Sequence, residues 1–158
     1  LDFKIEVTDA AQTYDLGMKL ATYLEPKDLI LLDGDLGAGK TTFTKGLAKG
    51  LGIDRNIKSP TFTIIREYQD GRIPLYHMDA YRLEDGGADE LGLDEYFNGD
   101  GLNVVEWSQF IDEDLPKNYL RIVFTRQDDK GDDFRQLEFK PQGERFTEIA
   151  KQVVTQNG

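Results

Sequence analysis

Phe3, Ile5 and Val7 alternate with polar residues, the period of a strand with one buried face. Thr8 or Asp9 is then placed to cap a helix running through Leu24, with Ala10, Tyr14, Gly17, Ala21 and Leu24 on one side. The run Asp28-Leu29-Ile30-Leu31-Leu32 is apolar without alternation, which predicts a strand buried on both faces. A glycine-rich segment follows at once, and after it a helix over about 40–51, closed by Gly50 and Gly52. Residues 62–68 and 72–78 read as two strands joined at Asp70-Gly71, a hairpin signal. An acidic segment comes next, helical over about 88–97. Leu102-Asn103-Val104-Val105 is a second apolar strand, ending in Glu106-Trp107. Residues 119–126 and 134–140 form another hairpin around the turn at 128–133. A last helix over 144–156 carries Phe146, Ile149 and Val153 at helical spacing. The order of elements predicts an α/β fold, one domain over 1–158. Its sheet mixes parallel and antiparallel strands between flanking helices.

Composition narrows what such a domain can meet. The chain has 158 residues, 39% of them hydrophobic and 31% charged, an ordinary globular mixture. It has no cysteine, so disulfides and thiolate metal sites are excluded. No apolar run approaches the roughly 20 residues that cross a bilayer, and the opening stretch alternates instead of forming a signal peptide's apolar block. The expectation is a cytoplasmic protein with no membrane association. The formal net charge is −11. Residues 1–79 hold 10 Lys and Arg against 12 acids, whereas residues 80–158 hold 9 against 18. The second half repels a phosphate backbone. Lys40, Lys45, Lys49, Arg55 and Lys58 form one local basic exception, and solvating a helix and neutralising phosphates explains them better than an RNA contact.

The most specific chemistry lies in Gly34-Asp35-Leu36-Gly37-Ala38-Gly39-Lys40-Thr41, a full match to G-x-x-x-x-G-K-[ST]. Glycines let backbone N–H groups turn inward around phosphate oxygens. The following helix points its positive end at the same anion. Lys40 is expected to reach the β- and γ-phosphates of ATP, the Thr41 hydroxyl to coordinate Mg²⁺, and Thr42 to donate to the α-phosphate. A buried strand before the loop and a helix after it are the context that separates such a loop from a chance match.

A P-loop ATPase needs a further carboxylate at a strand end. Glu106 is the first candidate, since an apolar strand delivers it to the sheet edge; Asp79, ending the strand Leu75-Tyr76-His77-Met78, competes. One would bind Mg²⁺ and the other orient the attacking water, while the bland reading makes either a solvated strand-end acid. Ser59-Pro60-Thr61-Phe62 lies where switch loops sit, and Thr61 there can follow the γ-phosphate through Mg²⁺. His77, the one histidine, reads as structural. Trp107 reads as core, with its place beside Glu106 improving the case for a site role. Arg66 and Arg82 are candidate arginine fingers for which a surface role is the simpler account.

Taken together, these residues resemble the TsaE family, small ATPases of bacterial tRNA threonylcarbamoyladenosine synthesis. The resemblance is carried by the phosphate loop through Thr42, Lys58-Ser59-Pro60-Thr61-Phe62, His77-Met78-Asp79-Ala80-Tyr81-Arg82 and Val105-Glu106-Trp107, in order, over about 28–110. It implies that Lys40 and Thr41 bind ATP and Mg²⁺, with Glu106 on the metal and Asp79 and Trp107 important for activity. It also implies two partners, TsaD and TsaB, which modify the adenosine beside the anticodon in tRNAs reading codons that begin with A. The ATPase would drive or regulate that pair without performing the transfer, and would meet tRNA only through the complex.

The competing expectation is a small-molecule P-loop kinase. Such enzymes bring lid arginines over the donor phosphates, but residues 84–100 hold acids and neither Lys nor Arg. A GTPase would need an N-K-x-D motif, which the chain lacks.

Overall fold

The computed structural model describes residues 3–34, 39–57, 65–83 and 91–157. Within them the strands are β1 (Phe3–Val7), β2 (Leu29–Gly34), β3 (Ile65–Tyr68), β4 (Leu75–Asp79), β5 (Leu102–Glu106), β6 (Tyr119–Arg126) and β7 (Arg135–Gln142). The helices are α1 (Ala10–Ala21), α2 (Lys40–Gly50), α3 (Leu93–Phe97) and α4 (Glu144–Asn157). One seven-stranded sheet takes the order β1-β7-β6-β2-β5-β4-β3. Its centre is parallel: β2 pairs with β5 and β6, and β4 with β5. Both margins are antiparallel, through β1–β7–β6 on one side and β3–β4 on the other. The mixed α/β sheet expected from the sequence is therefore what forms.

The central strands β2 and β5 are buried on both faces, as their unbroken apolar runs require. Ile30, Leu32, Leu75, Leu102 and Val104 face a large core shared with α1, α2 and α4. Leu29, Leu31, Met78 and Val105 face a smaller one with α3 and the 3-10 helix Ser108–Asp114. The first face changes character toward the strand ends. Across β4 and β5 the register runs from Leu75 opposite Leu102, through His77 opposite Val104, to Asp79 opposite Glu106. The apolar floor thus becomes a polar edge at the C-terminal side of the sheet, where ligands of open α/β sheets bind.

Helices α1 and α2 are packed backbone to backbone. A Cβ on Gly46 would lie 2.1 Å from the Tyr14 carbonyl oxygen, and one on Gly17 would lie 2.4 Å from that of Phe43. Asp9 is the N-cap of α1, accepting from the Gln12 N–H at 2.9 Å.

Several sequence expectations shift. Helix α1 stops at Ala21, because Thr22, Tyr23 and Leu24 tighten into i→i−3 bonds just before Glu25, whose helical geometry Pro26 disfavours. Its buried residues are Thr13, Leu16, Gly17, Leu20 and Ala21, while Ala10 is exposed and Tyr14 half-buried. Gly50 does not close α2: it is the last helical residue, pressed on Ala21 and Met18, and Gly52 is the left-handed residue after the cap. The β3–β4 connection is longer than a tight turn at Asp70-Gly71, since Tyr68 pairs with Leu75. That loop docks on the helices instead, with the Arg72 side chain donating to the carbonyls of Ala21 and Leu24 and its N–H to that of Leu51. Helix α3 covers only the end of its expected span: Leu91 and Gly92 form a turn, Gly92 with a left-handed backbone, and residues 88–90 lie outside the described residues.

Candidate functional site

Strand β2 ends on Gly34 with φ 139°, so near β6 that a Cβ would meet the Phe124 carbonyl oxygen at 2.3 Å. Helix α2 opens on Gly39 with φ 105°, which no side chain among the described residues caps. Both positions demand glycine on backbone grounds. Between them Asp35, Leu36, Gly37 and Ala38 lie outside the described residues, as does Thr61. The amides at the start of α2 have no partners one turn earlier in the helix, which equips this end for an anion. Thr41 and Thr42 follow in the first turn, both half-buried.

Lys40 is the centre of the arrangement. It is buried, its Nζ donates to the Gly34 carbonyl at 3.0 Å, and it lies 3.8 Å from Glu106 Oε1. The same ammonium sits 5.5 Å from the Trp107 ring centre. Glu106 is 7% exposed, carried there by the buried strand β5. Its other oxygen, Oε2, is 2.7 Å from His77 Nε2 on β4.

Asp79 ends β4 directly beside Glu106 in the parallel register. Its Oδ1 accepts the Tyr81 N–H at 2.9 Å. Burial raises its pKa above the ordinary aspartate value, against the lowering effect of that hydrogen bond, and the neighbouring Glu106 charge pushes it the same way.

Trp107 has φ 60°, a left-handed backbone rare for a bulky residue. It turns the chain out of β5 into an aromatic group, 5.0 Å from Tyr81 edge to face and 6.2 Å from Phe110 in a stack. Between this group and β6 lies a cleft of about 500 Å³ that includes Lys40, Trp107, Gln109, Asp33 and Arg121 in its lining. Arg121 is paired with Asp33.

The fold thus brings together Gly34, Gly39, Lys40, Glu106, Trp107 and, one strand further, Asp79. Sequence reasoning took His77 as structural and left out Arg121 and Asp33. The signal for His77 was its place two residues before Asp79, which puts both on one face of a strand. Arg66 joins none of these contacts among the described residues, and the side chain of Arg82 lies outside what the structure describes.

Hard oxygen donors suit Mg²⁺, which commonly keeps one or two protein carboxylates and completes its shell with phosphates and water. The Thr41 hydroxyl, the Glu106 carboxylate and the adjacent Asp79 are donors of that kind. Among the described residues no group of three or more His, Cys, Asp and Glu could hold a metal by itself. Hard oxygen donors of this kind fit a metal brought with a phosphate ligand.

The family model described as threonylcarbamoyl adenosine biosynthesis protein TsaE matches residues 7–136. A tRNA threonylcarbamoyladenosine biosynthesis protein TsaE from Bacillus subtilis is 49% identical over 150 residues, covering 95% of this chain and 92% of its own. One from a Nostoc species is 44% identical over 142 residues, covering 87% and 85%. The crystal structure of Bacillus subtilis YdiB superposes with a TM-score of 0.85 at 43% identity, covering 100% of this chain and 97% of that one. No helix among the described residues is long and apolar enough to cross a membrane.

Proposed function

Since the chain belongs to the TsaE family of threonylcarbamoyl adenosine biosynthesis proteins, we propose that it is a Mg²⁺-dependent ATPase acting in tRNA threonylcarbamoyladenosine synthesis, where it drives or regulates a TsaB–TsaD transferase pair. The observation that carries the ATPase reading is the convergence of Lys40 with the Gly34 carbonyl and the Glu106 carboxylate at the open end of α2. The TsaB and TsaD partnership and a cytoplasmic setting rest on the family.

Each residue then has a definable task. The amides at the start of α2, with the loop before them, cradle the phosphates. Lys40 exchanges its bond to the Gly34 carbonyl for the β- and γ-phosphate oxygens, where its charge offsets negative charge growing in the transition state. Thr41 and Glu106 would hold Mg²⁺, which would supply positive charge to offset the charge of the phosphates. Asp79 is adjacent to Glu106 and inclined by burial to accept a proton, so it orients the attacking water. Trp107 closes one side of the site over the Lys40 ammonium. Thr61 is retained as a candidate follower of the γ-phosphate, on sequence alone.

A small-molecule kinase would seat its acceptor in the cleft between Lys40, Trp107 and Arg121. Among the described residues, the pairing of Arg121 with Asp33 leaves that cleft without a spare arginine for an anionic acceptor, which disfavours this reading. Phosphate release with ATP as the only phosphoryl donor and water as the only acceptor tests the choice. Release is expected, and its absence until a small hydroxylated acceptor is added would favour the kinase.

A further inference from the structure

His77 is the chain's one histidine and is fully buried, on a strand where apolar residues would pack as well. Among the described residues it spends that position on a single polar contact, Nε2 to Glu106 Oε2 at 2.7 Å. The ring's other nitrogen, Nδ1, is buried with no hydrogen-bond partner among the described residues. A carboxylate only accepts, so the contact selects the tautomer with its hydrogen on Nε2. A hydrogen on Nδ1 would be a buried donor with no acceptor among the described residues, which costs stability. Both residues sit on rigid neighbouring strands, two positions apart along one face of the parallel register. One Glu106 oxygen is thereby tied down, and the other, Oε1, is the one 3.8 Å from Lys40.

We propose that His77 is a positioning residue for Glu106: its Nε2–H holds Oε2 so that Oε1 is presented toward Lys40 and the magnesium that accompanies ATP. This rests on the Mg-ATP reading of the site. Hydrogen bonds to a metal-binding carboxylate orient it, and losing such a partner typically lowers metal affinity about 10- to 100-fold. A merely structural histidine would give a different pattern, because its loss would not distinguish nucleotide with metal from nucleotide alone.

Calorimetric titration with a non-hydrolysable ATP analogue, with and without Mg²⁺, separates these cases. His77→Phe fills the space without a donor, and His77→Gln keeps an amide N–H near the Nε2 position. The expected result is that His77→Phe weakens binding about tenfold or more only when Mg²⁺ is present, and that His77→Gln restores most of it. Equal affinity to wild type with Mg²⁺, or an equal loss with and without it, overturns the proposal. Glu106→Gln serves as the reference. If it loses the Mg²⁺ enhancement and His77→Phe does not, the positioning role fails while the ATP site stands. If wild type binds no analogue at all, the ATP site itself fails. A second measurement needs no variant: with one histidine in the chain, ¹⁵N-histidine spectra report its tautomer directly. Hydrogen on Nε2 is expected, and a ring protonated on Nδ1 alone overturns the proposal.

Discussion

Asp79 and Glu106 end neighbouring parallel strands in register, so two carboxylates stand side by side at the edge of the sheet. Their surroundings separate them. Glu106 is bound by His77 and lies near Lys40, whereas Asp79 holds one backbone N–H and has its pKa raised by burial. The two acids are expected to fail differently. Glu106→Gln should weaken Mg²⁺-dependent nucleotide binding and turnover together. Asp79→Asn should bind Mg-ATP almost normally and hydrolyse it poorly. Metal titrations paired with phosphate release decide this, and the reverse pattern would exchange the roles.

The same shift makes a stability prediction. Folding raises the Asp79 pKa, so the unfolded chain releases that proton first as pH rises. Stability contributed at this position is therefore present below the ordinary aspartate range and lost as pH climbs through the folded value. At neutral pH the ionised group costs stability. Asn retains an oxygen for the Tyr81 N–H but carries no charge. Asp79→Asn should melt higher than wild type at neutral pH, with the gap narrowing as acid protonates the wild-type carboxyl. A lower melting temperature at neutral pH would contradict the electrostatic account.

Much of this was readable from the chain. The apolar runs of β2 and β5, the glycine-rich loop and the helix after it were visible because each is local. Glu106 at a strand end followed from the same run. What the sequence withheld depends on which strands become neighbours. Nothing within residues 75–79 says that β4 lies parallel to β5, so the contact between His77 and Glu106 was invisible, and His77 read as a structural histidine. Arg121 and Asp33 meet across β6 and β2 for the same reason. The face of α1 was misjudged because Gly17 and Ala21 were read with Ala10 and Tyr14. Their stripe is set by the close approach of α2, a partner local periodicity cannot identify. The turn at Asp70-Gly71 was placed too tightly because Arg72 is engaged by carbonyls of α1 and its exit turn, far away in sequence.

That helix contact can be tested directly. A Cβ at Gly46 would lie 2.1 Å from the Tyr14 carbonyl oxygen, and backbone on both sides leaves nothing flexible to move. Gly46→Ala should destabilise the fold by about 1–3 kcal/mol, the usual range for overpacking. Denaturant titration measures this, and wild-type stability would mean that the helices separate without cost.

Trp107 offers an optical readout, since it is the only tryptophan and lies beside both Lys40 and Glu106. Its emission should change when Mg-ATP or Mg-ADP binds. A saturating titration, with binding verified by calorimetry and emission unchanged, would detach Trp107 from the site.

The central claim is that ATP is hydrolysed at Lys40 and that partners control the rate. Lys40→Ala should remain folded yet lose about 3 kcal/mol or more of transition-state stabilisation. A net charge of −11 leaves little attraction for tRNA. The most direct measurement is phosphate release at physiological salt by wild type and Lys40→Ala. Each is assayed alone, with tRNA, and with a TsaB–TsaD pair. The account predicts slow release by wild type alone, no stimulation by tRNA, clear acceleration by the pair, and almost none from Lys40→Ala in any mixture. Full activity without partners, stimulation by tRNA alone, or near-normal release by folded Lys40→Ala would contradict it.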